Sequence, residues 1–221
     1  MRSRPDFSRR RNITTLIPIL SWTAAYCMSA SRDTNDFFDQ LTNQVLALRV
    51  ASHQRLRPLS IEQLNRRPGY DRWSVGQCLD HLNILSGYFL PLVRARLKLA
   101  QEKGSVARPQ VRSGWLGRRF TSAARQTDSS DGLFKVPKQY APTGVRLTGT
   151  VVEAFNRQLD EVLRLLLLSR QVDAGSVRVP NPLHPWLKLR LTDVLESLIA
   201  TYKRYVQEAE QALATNATKP A

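Results

Sequence analysis

The chain has 221 residues, 42% of them hydrophobic and only 10 of them glycine, with a formal net charge of +15. This length and apolar content suit one generous domain, or one domain with tails, and exclude a chain disordered throughout. The charge suits a nucleic acid or an anionic membrane as partner, yet basic residues occur in every segment, which is the ordinary pattern of a solvated surface.

Residues 1–27 carry Arg2, Arg4, Arg9, Arg10 and Arg11 against Asp6. The segment from Ile13 to Met28 is mildly apolar and follows this basic stretch, which is the shape of a secretory signal. Ser8-Arg9-Arg10-Arg11 suggests a twin-arginine variant, with Asn12 where an aromatic would strengthen it. Pro18, Ser21 and several threonines interrupt the apolar run, so the favoured reading is that translation starts at Met28. Residues 1–30 are therefore set apart as an extension or signal segment, 31–215 as the folded domain and 216–221 as a frayed tail. Of the two cysteines, Cys27 lies in the extension and Cys78 in a helix. No disulfide framework is expected, and the chain is read as cytoplasmic, or exported if residues 1–30 are a genuine signal.

Phe37, Phe38, Leu41, Val45 and Leu48 recur at helical spacing and predict a first helix from Thr34 to Arg55. His53 falls in its last turn and is read as solvated. A helical turn follows at Ser60 to Leu64, and Pro68-Gly69 breaks the chain. Ser74 and Gln77 then form a capping box: the serine hydroxyl takes the amide of Gln77, and the glutamine reaches back to the amide of Ser74. Trp73 and Cys78 flank this start at hydrophobic-staple positions. The second helix runs through Leu79, His81, Leu82, Leu85, Phe89, Val93 and Leu97 to a stop at Gly104, with a kink expected between Gly87 and Pro91.

Residues 104–149 form a long connection. Trp115 to Phe120 within it reads as a short amphipathic turn, either a loop pinned to the bundle by Trp115 and Phe120 or a lid or membrane contact. Thr150 and Glu153 make a second capping box for a third helix, in which the run Leu165 to Leu168 implies cover on more than one side. A proline-marked connection, Val177 to Trp186, is expected to be extended. The fourth helix starts near Thr192-Asp193 and carries Val194, Leu195, Leu198, Tyr202, Tyr205, Val206, Ala209 and Leu213, with fraying from Ala214 onward. Four amphipathic helices without a strand pattern predict an all-α, antiparallel-type four-helix bundle with two long connections.

Taken in order, Trp73-Ser74-Val75-Gly76-Gln77 with His81-Leu82, then Phe134-Lys135-Val136-Pro137 with Pro142, then His184-Pro185 with Leu191-Thr192 resemble the DinB-like superfamily over residues 34–213. The resemblance implies a bundle that binds a divalent metal through three histidines, one on the second helix and two on the fourth, four residues apart. It also implies a homodimer through bundle faces, and metal-dependent hydrolase or thiol-dependent transferase chemistry. The ligand positions fall here on His81, Thr201 and Tyr205. A threonine hydroxyl is a weak ligand and a phenol must first lose its proton, so no metal cofactor is expected. The other histidines, His53 and His184, are not at helical spacing to His81. Cys78 and His81 share a helix face, but a cysteine at a staple position is read as a small core residue. There is no Gly-rich phosphate loop, Cys-x-x-Cys pair or Gly-x-Ser-x-Gly elbow. The reading is a metal-free module for small ligands or interactions. The alternatives are a metal- or thiol-dependent enzyme of the DinB-like type, and a basic protein using Arg112, Arg118, Arg119 and Arg125 against nucleic acid or anionic membrane.

Overall fold

A computed structural model describes residues 31–125, 136–144 and 146–218. The extension, Phe134-Lys135 and the last three residues therefore lie outside the described part. The elements run β1 (Ser31–Asp33), α1 (Thr34–Ala51), α2 (Ile61–Asn65), α3 (Val75–Glu102), β2 (Gln110–Arg112), α4 (Trp115–Arg125), α5 (Thr150–Ser169), β3 (Arg178–Pro180), β4 (Lys188–Arg190) and α6 (Leu191–Thr218). The four long helices are those expected, and the fold is all-α in its body. α1 continues through a π-helical turn, Ser52–Leu56, in which His53 is exposed.

α1 and α3 each pack against both α5 and α6, which closes the bundle. Directions follow from the side-chain links. Asp39 pairs with Arg170 and Arg49 with Asp160, so α1 and α5 are antiparallel. Asn83 bonds the carbonyl of Val151 and Arg94 pairs with Glu161, so α3 and α5 run parallel. Ser86 meets Tyr202 while His81 meets Tyr205, making α3 and α6 antiparallel. Arg32 pairs with Glu196 and Arg55 with Glu210, so α1 and α6 are parallel. The order is up, down, down, up, which corrects the antiparallel expectation. Because α3 is followed by a parallel neighbour, the chain must return along a helix of 28 residues, about 42 Å, before α5 begins. That is why the connection after Gly104 is long.

α4 is part of this return path. The amphipathic turn expected near Trp115 extends to 11 residues and packs along α6. Two small antiparallel sheets, β1 with β2 and β3 with β4, are a second correction. Strands of three residues are too short to show alternation, so periodicity did not reveal them.

Local signals fare unevenly. The Ser74–Gln77 box is formed in both directions, and Gly104 ends α3 with φ of 69°. α3 passes without interruption through Pro91, which faces solvent together with Gly87. Ser60 and Gln63 form a further box for α2. The Thr150–Glu153 box is absent: Thr150 is already helical, its hydroxyl meets that of Thr148, and Gly149 precedes it with no side-chain cap. Within the leucine run Leu167 is 63% exposed, so α5 is covered on one broad face only. α6 runs to Thr218, past the expected fraying at Ala214, with Asn216 bonded to the carbonyl of Arg66. No helix among the described residues is long and apolar enough to cross a membrane.

Candidate functional site

The capping box at Ser74 fixes the first turns of α3, and one turn further on His81 points into the bundle, 4% exposed. Tyr205 reaches it from α6, with ring centroids 4.5 Å apart. The indole of Trp73 stacks on Tyr205 at 5.5 Å and lies 5.3 Å from His81. Two predicted site residues are thus brought together, and Trp73, expected only as a staple, closes the cluster. Thr201 stands apart in its bonding. Its hydroxyl donates to the carbonyl of Ser197 on its own helix at 2.9 Å.

A further component comes from the long connection. The His81 Nδ1 lies 2.6 Å from the backbone oxygen of Tyr140. A carbonyl can only accept, so Nδ1 carries the proton and Nε2 is the bare nitrogen of the neutral ring. The hydrogen-bond partner of this buried imidazole is thus the Tyr140 main chain rather than Thr201 or Tyr205. Nearby, the Asp80 carboxylate accepts from both the amide and the hydroxyl of Thr143, at 2.8 and 2.9 Å. Asn65 exchanges two bonds with the main chain of Leu147, whose side chain lies against Gly76. Tyr140, Thr143 and Leu147 are thereby strapped across the start of α3. Sequence reasoning missed Tyr140; a single aromatic bracketed by Pro137 and Pro142 was the available signal, since two rigid prolines hold an intervening turn in place.

The electrostatics keep every group of the cluster neutral. Burial lowers the His81 pKa, against the raising effect of the Tyr140 carbonyl. Burial pushes the phenols of Tyr205 and Tyr140 up to about 12. The Cys78 thiol, buried in the core, is also pushed up and stays protonated, which leaves it a packing residue rather than a nucleophile. Arg204, over the Tyr205 ring, is ion-paired with Glu208 one turn on.

The sequence model of the DinB superfamily matches residues 44–220. The chain belongs to the DinB superfamily. No curated protein and no solved structure matches it. A DinB-type metal needs anionic or imidazole donors, and these residues do not fit one. His81 supplies a single bare nitrogen, the Thr201 hydroxyl is engaged by Ser197, and the Tyr205 phenol is protonated. Among the described residues no three His, Cys, Asp or Glu side chains converge on one point.

Proposed function

We propose that this DinB-superfamily bundle works without the metal of its resemblance, as a binding or interaction module for small molecules, with His81, Tyr205 and Trp73 at its ligand end. The observation that carries this reading is the Tyr205 ring packed on His81 at 4.5 Å, at a position where the resemblance calls for an imidazole. The tautomer set by Tyr140 supports it. Nδ1–H bonded to a carbonyl is the arrangement that orients a ligating histidine, and here it leaves Nε2 as a hydrogen-bond acceptor beside a phenol that can donate. Acceptor, donor and indole face suit a small neutral molecule with one polar edge and one flat apolar face.

The test is metal content by mass spectrometry on untagged protein, together with the double variant Thr201→His/Tyr205→His. The wild type is expected to carry no stoichiometric transition metal. The double variant, with two imidazoles one turn apart opposite His81, is expected to gain stoichiometric zinc or nickel binding that a further His81→Ala change removes. A wild type holding one metal per chain, lost on His81→Ala, would overturn the reading.

A further inference from the structure

The end of the bundle away from His81 carries the two small sheets, and one of them ends in an exposed tryptophan. In the β3–β4 hairpin Val179 pairs with Leu189, and both are buried. Strand alternation therefore puts Arg178, Pro180, Lys188 and Arg190 on the outer face. Arg178 stands directly opposite Arg190 in the ladder, a like-charge pair that the single carboxylate of Asp193 attracts from behind, which leaves an excess of positive charge on the outer face. Arg190 also donates to the carbonyl of Arg112 at 2.8 Å, which joins the hairpin to β2, where the Arg112 side chain is exposed. The carboxylate behind this face, Asp193, is 2% exposed and accepts from the Gly114 amide.

The tip is a built turn. Asn181 accepts from the amides of Leu183 and His184 through its side chain, its own amide donates to Leu187, and the Leu187 amide donates to His184. Leu183 and Leu187 pack inward on the core. Trp186, between these two leucines in the chain, is held outward at 78% exposure, with the His184 ring 5.9 Å away. A folded turn thus presents an indole largely to solvent among the described residues. Lys188 is set two residues behind it, about 7 Å back along the strand.

We propose that this hairpin end is a docking surface for an anionic lipid bilayer, the Trp186 indole entering the headgroup region and Lys188, Arg178, Arg190 and Arg112 meeting lipid phosphates. An indole prefers the membrane interface because it is apolar with one polar N–H, and lysine and arginine close behind it meet the negative surface potential. Charge complementarity alone fits a nucleic acid too. Single-stranded nucleic acid, however, is held by successive aromatics along a basic groove. Here one indole sits at a hairpin tip, and the other exposed aromatics among the described residues, Tyr70 and Tyr88, are at the His81 end.

Co-sedimentation of the full chain with vesicles of phosphatidylcholine, with or without phosphatidylglycerol, tests this. Binding is expected only with the anionic lipid and is expected to fall with added salt. Trp186→Ala is expected to weaken it on the order of tenfold, and Lys188→Glu, a change of two charges, on the order of thirtyfold. Both side chains are exposed, so circular dichroism should show both variants folded as the wild type is. Vesicle binding equal in wild type and both variants, as the arginines of residues 1–27 acting alone would give, overturns the proposal. So does absence of vesicle binding. If the two variants instead lose a single-stranded oligonucleotide and keep vesicle binding, the occupant is a nucleic acid. Because His81 lies against Tyr205, about 21 Å along α6 from the hairpin that precedes Leu191, the metal content measured for the first proposal is independent of this result.

Discussion

Ser86 and Tyr202 show how the buried polar groups between α3 and α6 depend on one another. Ser86 Oγ donates to the Leu82 carbonyl and lies 2.5 Å from the Tyr202 hydroxyl, which donates to it. Ser86→Ala leaves a fully buried phenol without a partner and is expected to destabilise by about 1–3 kcal/mol. Tyr202→Phe leaves Ser86 still bonded to Leu82 and should lose only about 0.5–1.5 kcal/mol. Urea midpoints of the two variants check the order; a larger loss for Tyr202→Phe would show that the hydroxyl pair is not the relevant contact. His81 sets a pH dependence by the same logic of burial. Its folded pKa lies below the ordinary value of 6.5, chiefly through burial. Above that value both folded and unfolded chains hold it neutral. As pH falls below it, the unfolded chain takes up a proton that the folded chain refuses, so stability declines until the folded pKa is reached. His81→Gln, which can still donate to Tyr140, should flatten the decline in urea midpoint between about pH 7 and pH 5. Parallel profiles for the two proteins would refute this.

At the scale of elements, α4 is seated along α6 by a close approach of its backbone. Its first turn lies against Asp193, whose carboxylate accepts from the Gly114 amide, and a Cβ on Gly117 would come within 2.0 Å of the Asp193 Cγ. Asp193 is short, buried and already bonded, so it cannot swing aside cheaply. Gly117→Ala is expected to lower stability by about 1–3 kcal/mol and to speed tryptic cleavage at the exposed Arg118 and Arg119. Unchanged cleavage and midpoint would show that α4 is not seated by this contact. The elements that sequence revealed were those in which one physical signal acts alone. Ser74 with Gln77 caps a helix by local hydrogen bonds, and the period of Phe38, Leu41, Val45 and Leu48 needs only one buried face. The elements it missed depend on partners far along the chain. Ser31–Asp33 is a strand only because Gln110–Arg112 lies beside it. Thr150 fails for a local reason instead, because the preceding turn from Thr148 already enters the helix.

For the whole molecule, helical spacing located the bundle, because it places residues on faces without reference to topology, while the superfamily and the pairing of His81 with Tyr205 came from the motif resemblance. It did not reveal which helices run parallel, since amphipathic period carries no direction. The imidazole's partner was hidden for a related reason: the bond from His81 to Tyr140 spans 59 residues and goes to a main-chain oxygen, which any residue type could supply. The long return after α3 thus does two things. It carries the chain back so that α5 runs parallel to α3, and it brings the strap to the end of the bundle where α3 begins.

Pro91 has a consequence for how α3 opens. Proline has no amide proton, so the carbonyl of Gly87 lacks its donor one turn ahead, and because both residues face solvent that oxygen is open to hydration. The ladder of exchangeable amides in α3 is therefore split near its middle. Each half keeps its own tie to α5, Asn83 to the Val151 carbonyl before the gap and Arg94 to Glu161 after it, so amide exchange is expected to divide at Pro91 into two segments.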